Sequence, residues 1–203
     1  MAEPMNVMTD GVALLERAIC YAVGTLCAVT PDALSRPTPC AGWDLRMLMR
    51  HVTDSLDVLQ ESVDTGRVGP GPAEAGVDEA ADPVAAFRDR ARQVLGAWTV
   101  AGHQDLVIAI ADLPLMSSIV ASTGALEIAA HGWDISQACG QRQPIPPALA
   151  ADMLEIASLV ITSETRYPRF AAAVATSPAA SPSDRLVCFL GRSPHQPVRP
   201  PRL

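Results

Sequence analysis

The chain has 203 residues and a net charge of −7, from 15 basic and 22 acidic side chains. That length fits one domain with a substantial core and is short for two independent units. The acidic balance, with basic residues scattered rather than grouped, gives no electrostatic footprint for nucleic acid or an anionic membrane, so both are excluded as partners. Five widely spaced cysteines without a CxxC pair, and an N-terminus with no basic region leading into an apolar stretch, predict a reducing, cytoplasmic setting. Uninterrupted apolar runs fall short of the about 18 residues of a spanning helix, so a soluble protein is expected.

In chain order, Val12, Leu15, Ala18, Ile19 and Leu26 recur near a 3.6-residue period and predict a first helix over 9–29, with Asp10 as its N-cap. TPCAGWD ends in Asp44, a good N-cap. Leu45, Leu48, Val52, Leu56 and Leu59 then form the stripe of a second helix reaching about residue 64, with His51 beside it. Residues 66–81 are Gly, Pro, Ala and acid without a period and read as a mobile connection, a lid or crossover. Asp82-Pro83 opens a third helix carrying Val84, Phe87, Ala91, Val94 and Trp98. DLVIAIADLP at 105–114 has a weak signal between helix and strand and reads as irregular. A long helix follows over Ser117–Cys139, ended by Gly140, and another runs from Pro146-Pro147 to about Tyr167, before Pro168. The rest holds one apolar knot, LVCFLG at 186–191, ahead of a flexible tail at 195–203. The expected fold is all-α: an antiparallel four-helix bundle with an extra C-terminal helical or irregular segment, as one domain over 1–194.

Glu127 and His131 carry the chemistry. Four residues apart on a helix, they lie about 40° apart in projection and put a carboxylate and an imidazole on one face. Glu127 stands among Leu126, Ile128, Ala129 and Ala130, where a core-facing carboxylate needs a partner that a metal can supply. If His51 meets them from another helix, the set becomes His2Glu with open positions, the arrangement of a catalytic zinc. Spacing alone leaves the alternative open: Glu127 in solvent, His131 satisfied in the core or at a helix end, and His51 hydrogen-bonded beside its stripe. Asp134 offers either an outer acceptor for a ligating histidine or a solvated polar residue. Cys40, just before a helix N-terminus, is either an activated thiol or a buried structural one, with no His or acid adjacent in sequence to favour a triad. Trp43 and Trp133 fill the core or wall a pocket, and His103 and His195 are incidental. Gly-Trp-Asp occurs at 42–44 and 132–134 without marking a duplication, and no Gly-rich phosphate loop is present.

Taken together, TPCAGWDLRMLMRH, LEIAAHGWDISQACG and DRLVCFLGRSP resemble, over about residues 10–194, the bacterial DinB/YfiT-like metal-binding superfamily. The likeness is to its actinobacterial branch, related to the N-terminal domain of mycothiol-dependent maleylpyruvate isomerase. The resemblance implies a bundle in which His51, Glu127 and His131, from two helices, hold a divalent metal, zinc or nickel, with water completing the shell. It also implies a small-molecule substrate and mycothiol as co-substrate, for a thiol S-transferase or thiol-dependent isomerase working as a monomer or homodimer. The isomerase carries a further C-terminal domain with no counterpart up to Leu203, which separates the metal core from that one reaction. Within the mechanism Glu127 is the candidate catalytic residue, completing the charge and exchanging protons. The alternatives are a metal-dependent hydrolase, a Lewis-acid isomerase or cyclase of secondary metabolism, and a non-catalytic metal-binding bundle. Neutral imidazoles are required of the ligands, so metal affinity is expected to fall below about pH 6.

Overall fold

The computed structural model describes residues 11–69, 82–101, 106–167 and 170–195. The Asp10 cap, most of the 66–81 connection, His103, Pro168 and nearly all of the 195–203 tail lie outside them. The elements are α1 (Gly11–Thr25), two short 3-10 turns (Leu26–Ala28 and Pro31–Ala33), α2 (Leu45–Thr65), β1 (Arg67–Val68) and α3 (Pro83–Ala101). They continue with β2 (Val107–Ile110), β3 (Leu113–Met116), α4 (Ser117–Ala138), α5 (Pro147–Val160), α6 (Ser163–Arg166) and α7 (Pro182–Phe189).

Local chemistry sets most of these limits. Asp44 accepts from the Met47 amide at 2.8 Å and opens α2, and Gly66, in the left-handed conformation at φ 67°, closes it. The Asp82 carboxylate accepts from the amides of Val84 and Ala85, both at 3.0 Å, at the head of α3. Two local expectations are corrected. The segment read as irregular over 105–114 enters a hairpin, β2 pairing antiparallel with β3 from Val107↔Met116 to Ile110↔Leu113. Its turn residues, Ala111 and Asp112, have φ of 47° and 67°. Two-residue hairpin turns of that kind usually announce themselves with Asn-Gly or Asp-Gly, and Ala-Asp does not. The helix expected to reach Tyr167 stops at Val160, because Thr162 turns extended and caps α6, its hydroxyl accepting from the Thr165 amide.

Helices α1 to α4 close a ring in which α4 packs against α1 and α2, and α3 against α2 and α1, while α5 and α7 pack together beside α4. Directions follow from the small sheet. β1 follows α2 directly and pairs in parallel with β2, which follows α3, so both helices end at the same end of the bundle. β3 leads into α4 there, and α4 runs back against α2. Gly11 at the start of α1 lies against Ser118, and Gly132 lies against Tyr21 and Ala22, so α1 and α4 are parallel. The bundle thus holds two parallel pairs instead of the expected plain antiparallel order. The chain re-enters α3 at the end of the bundle opposite to where it leaves α2.

By length and composition Gly11–Ala28 is apolar enough to cross a membrane. The same stretch gives Leu15, Ala18, Ile19 and Ala22 to the bundle interior, so its apolarity serves burial against α4. Sixteen of the 22 residues of α4 are buried, on every side of the helix. That helix is the axis of the core.

The α1–α4 contact gives a test of opposing signs. Alanine for glycine in a helix favours stability by up to about 1 kcal/mol. A Cβ on Gly11 would sit 2.3 Å from the backbone oxygen of Ser118, which has no side-chain freedom with which to yield. Gly11→Ala should therefore destabilise by about 1–3 kcal/mol, read as a lower urea midpoint at unchanged slope.

Candidate metal centre

The centre begins with the approach of α2 to α4. Gly124 lets Leu59 lie where a Cβ would meet its side chain at 2.6 Å, and two turns back along α2 this brings His51 opposite Glu127. The Nε2 of His51 donates to Glu127 Oε1 at 2.8 Å, and the Nε2 of His131 stands 3.1 Å from the same oxygen. The imidazole rings meet edge to face, centroids 5.0 Å apart at 89°. The three donor atoms lie within 4.8 Å of one another. One side of the cluster is open, since the His51 and Glu127 side chains are 38% and 34% exposed, whereas His131 is 9% exposed.

Behind His131 the surroundings are closed. Its Nδ1 lies 3.0 Å from Oδ2 of Asp134, whose side chain is fully buried. A carboxylate only accepts, so Nδ1 carries the proton and Nε2 is aimed at the open side. Arg192, just past α7, donates from Nε to Asp134 Oδ1 at 2.8 Å and from Nη2 to Oδ2 at 2.7 Å, a two-pronged pair. The Cys40 thiol donates to the same Oδ2 at 3.4 Å and lies 3.9 Å from His131 Nδ1.

The TPCAGWD segment is folded to place these groups. Thr38 Oγ1 donates to the Trp43 carbonyl at 3.0 Å and receives the Cys40 amide at 3.2 Å, and the Trp43 amide bonds Cys40 O at 3.0 Å. Cys40 therefore points inward to Asp134. Trp43 lays its ring edgewise on His51, centroids 4.9 Å apart. Ser55, one turn beyond His51, donates to the His51 carbonyl at 3.0 Å and approaches Glu127 Oε1 at 3.5 Å.

The charges are mutually dependent. Burial opposes a charged Glu127, but the imidazoles of His131 and His51 outweigh it and hold the carboxyl well below its usual range. Burial likewise opposes a charged His131, yet the Glu127 charge and the hydrogen bond to Asp134 raise it well above an ordinary imidazole. At Asp134 burial yields to Arg192 and His131, so the carboxyl is held low. With neutral imidazoles, Glu127, Asp134 and Arg192 leave one negative charge uncompensated, and a proton on His131 or a cation among the three donors balances it.

That donor set suits a divalent metal. Hydrogen-bond spacings of 2.8 and 3.1 Å must widen by only a few tenths of an ångström to surround an ion with ligands at about 2.0–2.2 Å, and a ligating histidine backed by a carboxylate is the usual pattern.

Of the residues singled out in the sequence, His51, Glu127 and His131 come together, and Cys40 and Asp134 join them from behind. Trp43 borders the cluster, Trp133 is in the core, and His195 is exposed, 3.9 Å from Asp184. Sequence reasoning missed Arg192 and Ser55. The one available signal for Arg192 was charge balance: a carboxylate inside the apolar α4 demands a cation, and Arg192 follows the apolar turn of α7.

The imidazolium sets a pH dependence for the metal-free protein. A histidine raised in the folded state contributes stability that is complete below its ordinary value, about 6.5, and is lost as pH climbs toward the raised one. The depressed carboxyls of Glu127 and Asp134 act oppositely, losing their contribution only as pH falls below about 4. Thermal midpoints in chelator should therefore fall between about pH 6.5 and 8, and His131→Gln should flatten that slope. A level or rising wild-type midpoint would refute the imidazolium.

Two uncharacterized proteins of Mycobacterium tuberculosis, from strains CDC 1551 / Oshkosh and H37Rv, are each 25% identical to the chain over 173 residues, covering 83% of it and 90% of their own length. No solved structure matches it. The family model described as the mycothiol maleylpyruvate isomerase N-terminal domain matches residues 16–136, a span that includes TPCAGWD, His51, Glu127, His131 and Asp134. The chain belongs to the family of the mycothiol maleylpyruvate isomerase N-terminal domain.

Proposed function

We propose that the protein is a cytoplasmic, divalent-metal-dependent enzyme that uses a low-molecular-weight thiol of the mycothiol type on a small electrophilic molecule, as an S-transferase or thiol-dependent isomerase. His51, Glu127 and His131 are its metal ligands, and the ion is zinc or nickel. The observation that carries this reading is the convergence of two Nε2 atoms and one carboxylate oxygen at a partly open surface, over a buried Asp134 that fixes the His131 proton on the far nitrogen. A structural zinc is normally closed by four protein ligands, and three donors beneath an open side favour reaction. The bound ion would supply a lowered thiol pKa, giving thiolate at neutral pH.

The chain's own groups have separate tasks. His131 is held from behind and gives the rigid coordinate of the site. His51, more exposed and bordered by the Trp43 edge, faces the side from which a substrate arrives. Glu127 Oε1 accepts from His51 Nε2 and Ser55 and stands 3.1 Å from His131 Nε2, so it stays ionised and braces both rings, while His131 carries the proton that an incoming ion displaces. Membership of the mycothiol isomerase family supports the thiol.

Protein purified without added metal should carry a divalent ion by elemental analysis. His51→Ala and His131→Ala should weaken its binding by more than the about 10- to 100-fold typical of an outer-shell change. Full retention in both variants would remove the assignment. Because His131 is raised, zinc binding at neutral pH should release a proton, visible as a buffer-dependent binding enthalpy, and affinity should decline on acidification from a higher pH than ordinary imidazoles, at about 6.5, would require. The loaded protein should accelerate consumption of mycothiol by an electrophile panel that includes monobromobimane. Metal without thiol consumption would move the reading to a hydrolase or a binding protein.

A further inference from the structure

We infer that Arg192 is a positioning residue for the metal centre: through Asp134 it holds His131 in the tautomer and orientation that ligation requires, which makes the turn after α7 a working part of the site. The inference rests on the metal reading above and extends it to a segment outside the matched span of 16–136. Four donors meet on Asp134. Arg192 Nε takes Oδ1, while Arg192 Nη2, His131 Nδ1 and the Cys40 thiol share Oδ2. The guanidinium is itself nearly buried, with 12% of its side chain exposed. A second donor group, Cys40, His131 and Asp134, also lies within metal-ligand reach. Arg192 disqualifies it as a cation site, because its charge already occupies both carboxylate oxygens.

The geometry leaves Asp134 little freedom. Without Arg192 a fully buried carboxylate would keep one imidazole and one weak thiol donor, and it would be neutralised or turned away. His131 Nδ1 would then lose the acceptor that keeps its proton, and the ring would be free to put that proton on Nε2, the ligating atom. Arg192 is in turn placed by α7. Its amide donates to the Val187 carbonyl at 2.9 Å, its Nη1 to Leu190 O at 3.2 Å, and Gly191 before it takes φ 82°. Leu186, Val187 and Leu190, buried at 0–1% exposure, anchor that turn to the core. The anchoring of α7 (Pro182–Phe189) is thereby transmitted to His131, far earlier in the chain.

The test uses the full chain with Arg192→Met, Arg192→Lys and the double variant Asp134→Asn/Arg192→Met, which removes the buried charge together with its partner and guards against a misfolded single variant. Zinc affinity is measured by competition with a chromophoric chelator. The His131 ring is followed by long-range ¹H–¹⁵N NMR in zinc-free and zinc-loaded protein. Arg192→Met and the double variant should bind zinc about 10- to 100-fold more weakly, lose the protected, downfield Nδ1 proton of His131, and keep the wild-type helical circular dichroism. Arg192→Lys, with one prong instead of two, should recover part of the affinity and the Nδ1 signal. Unchanged zinc affinity and an unchanged Nδ1 resonance in the folded double variant would overturn the inference. Failure of the wild type to bind zinc would instead overturn the metal reading, and the Nδ1 resonance of the zinc-free variants would still decide the role of Arg192.

Discussion

A carboxylate with no exposure to water, inside a helix buried along most of its length, sets the terms for the rest of this structure. Asp134 lies on α4, which is buried on nearly every side, so its charge must be compensated within the protein. The compensation comes from three parts of the chain: an imidazole one turn earlier, a thiol in the loop before α2, and a guanidinium after α7. Removing one partner of such a buried cluster typically costs about 3–5 kcal/mol, because the other charge is left in a medium that cannot solvate it. The loop holding Cys40 and Trp43, the central helix and the C-terminal turn are therefore tied to one atom pair.

That tie gives the cluster its asymmetry. On the buried side of His131 every hydrogen-bonding position is occupied, so the ring has one nitrogen left to offer and one direction in which to offer it. On the other side, Glu127 and His51 remain partly in contact with water, and the edge of Trp43 borders the gap. A rigid back and an accessible front are what a site needs if it is to bind an ion and still admit a second molecule. The apolar length of α4 matters here as well. It places a carboxylate and an imidazole where water competes poorly for them, which strengthens each interaction within the cluster.

Much of this could be read in the amino-acid order, for definite reasons. Asp44, Asp82 and Gly66 are local signals whose effect is complete within a few residues, so the limits of α2 and the head of α3 were legible. The i,i+4 placement of Glu127 and His131 was legible because a helix imposes it. His51 was different: its position beside them depends on the α2–α4 approach at Gly124, a long-range fact with no local mark, and only the resemblance of the motifs to a known family linked the three. The pairing of Arg192 was hidden for the same reason, 58 residues separating it from Asp134, and only charge balance hinted that a cation was needed. The hairpin at 107–116 was hidden because its turn uses Ala111 and Asp112 where glycine or asparagine usually stands. The break after Val160 went unseen because Thr162 competes for the backbone through its own hydroxyl, a contest that apolar periodicity does not register.

The parallel pairing of α1 with α4, and of α2 with α3, has a consequence for synthesis and folding. No helix of the ring packs in simple hairpin fashion against the one that follows it from α1 to α2, and the cluster draws on residues separated by 76, 91, 94 and 58 positions. Closing contacts of that sequence separation is slow compared with forming a helix, and the loop entropy must be met before the contacts reward it. During translation α1 emerges with its apolar stripe uncovered and its main partner α4 arrives only after α2 and α3, and the polar cluster around Asp134 is complete only when the turn after α7 has arrived. The α1 surface, apolar enough over Gly11–Ala28 to pass for a membrane segment, is the part of the young chain most in need of protection until then.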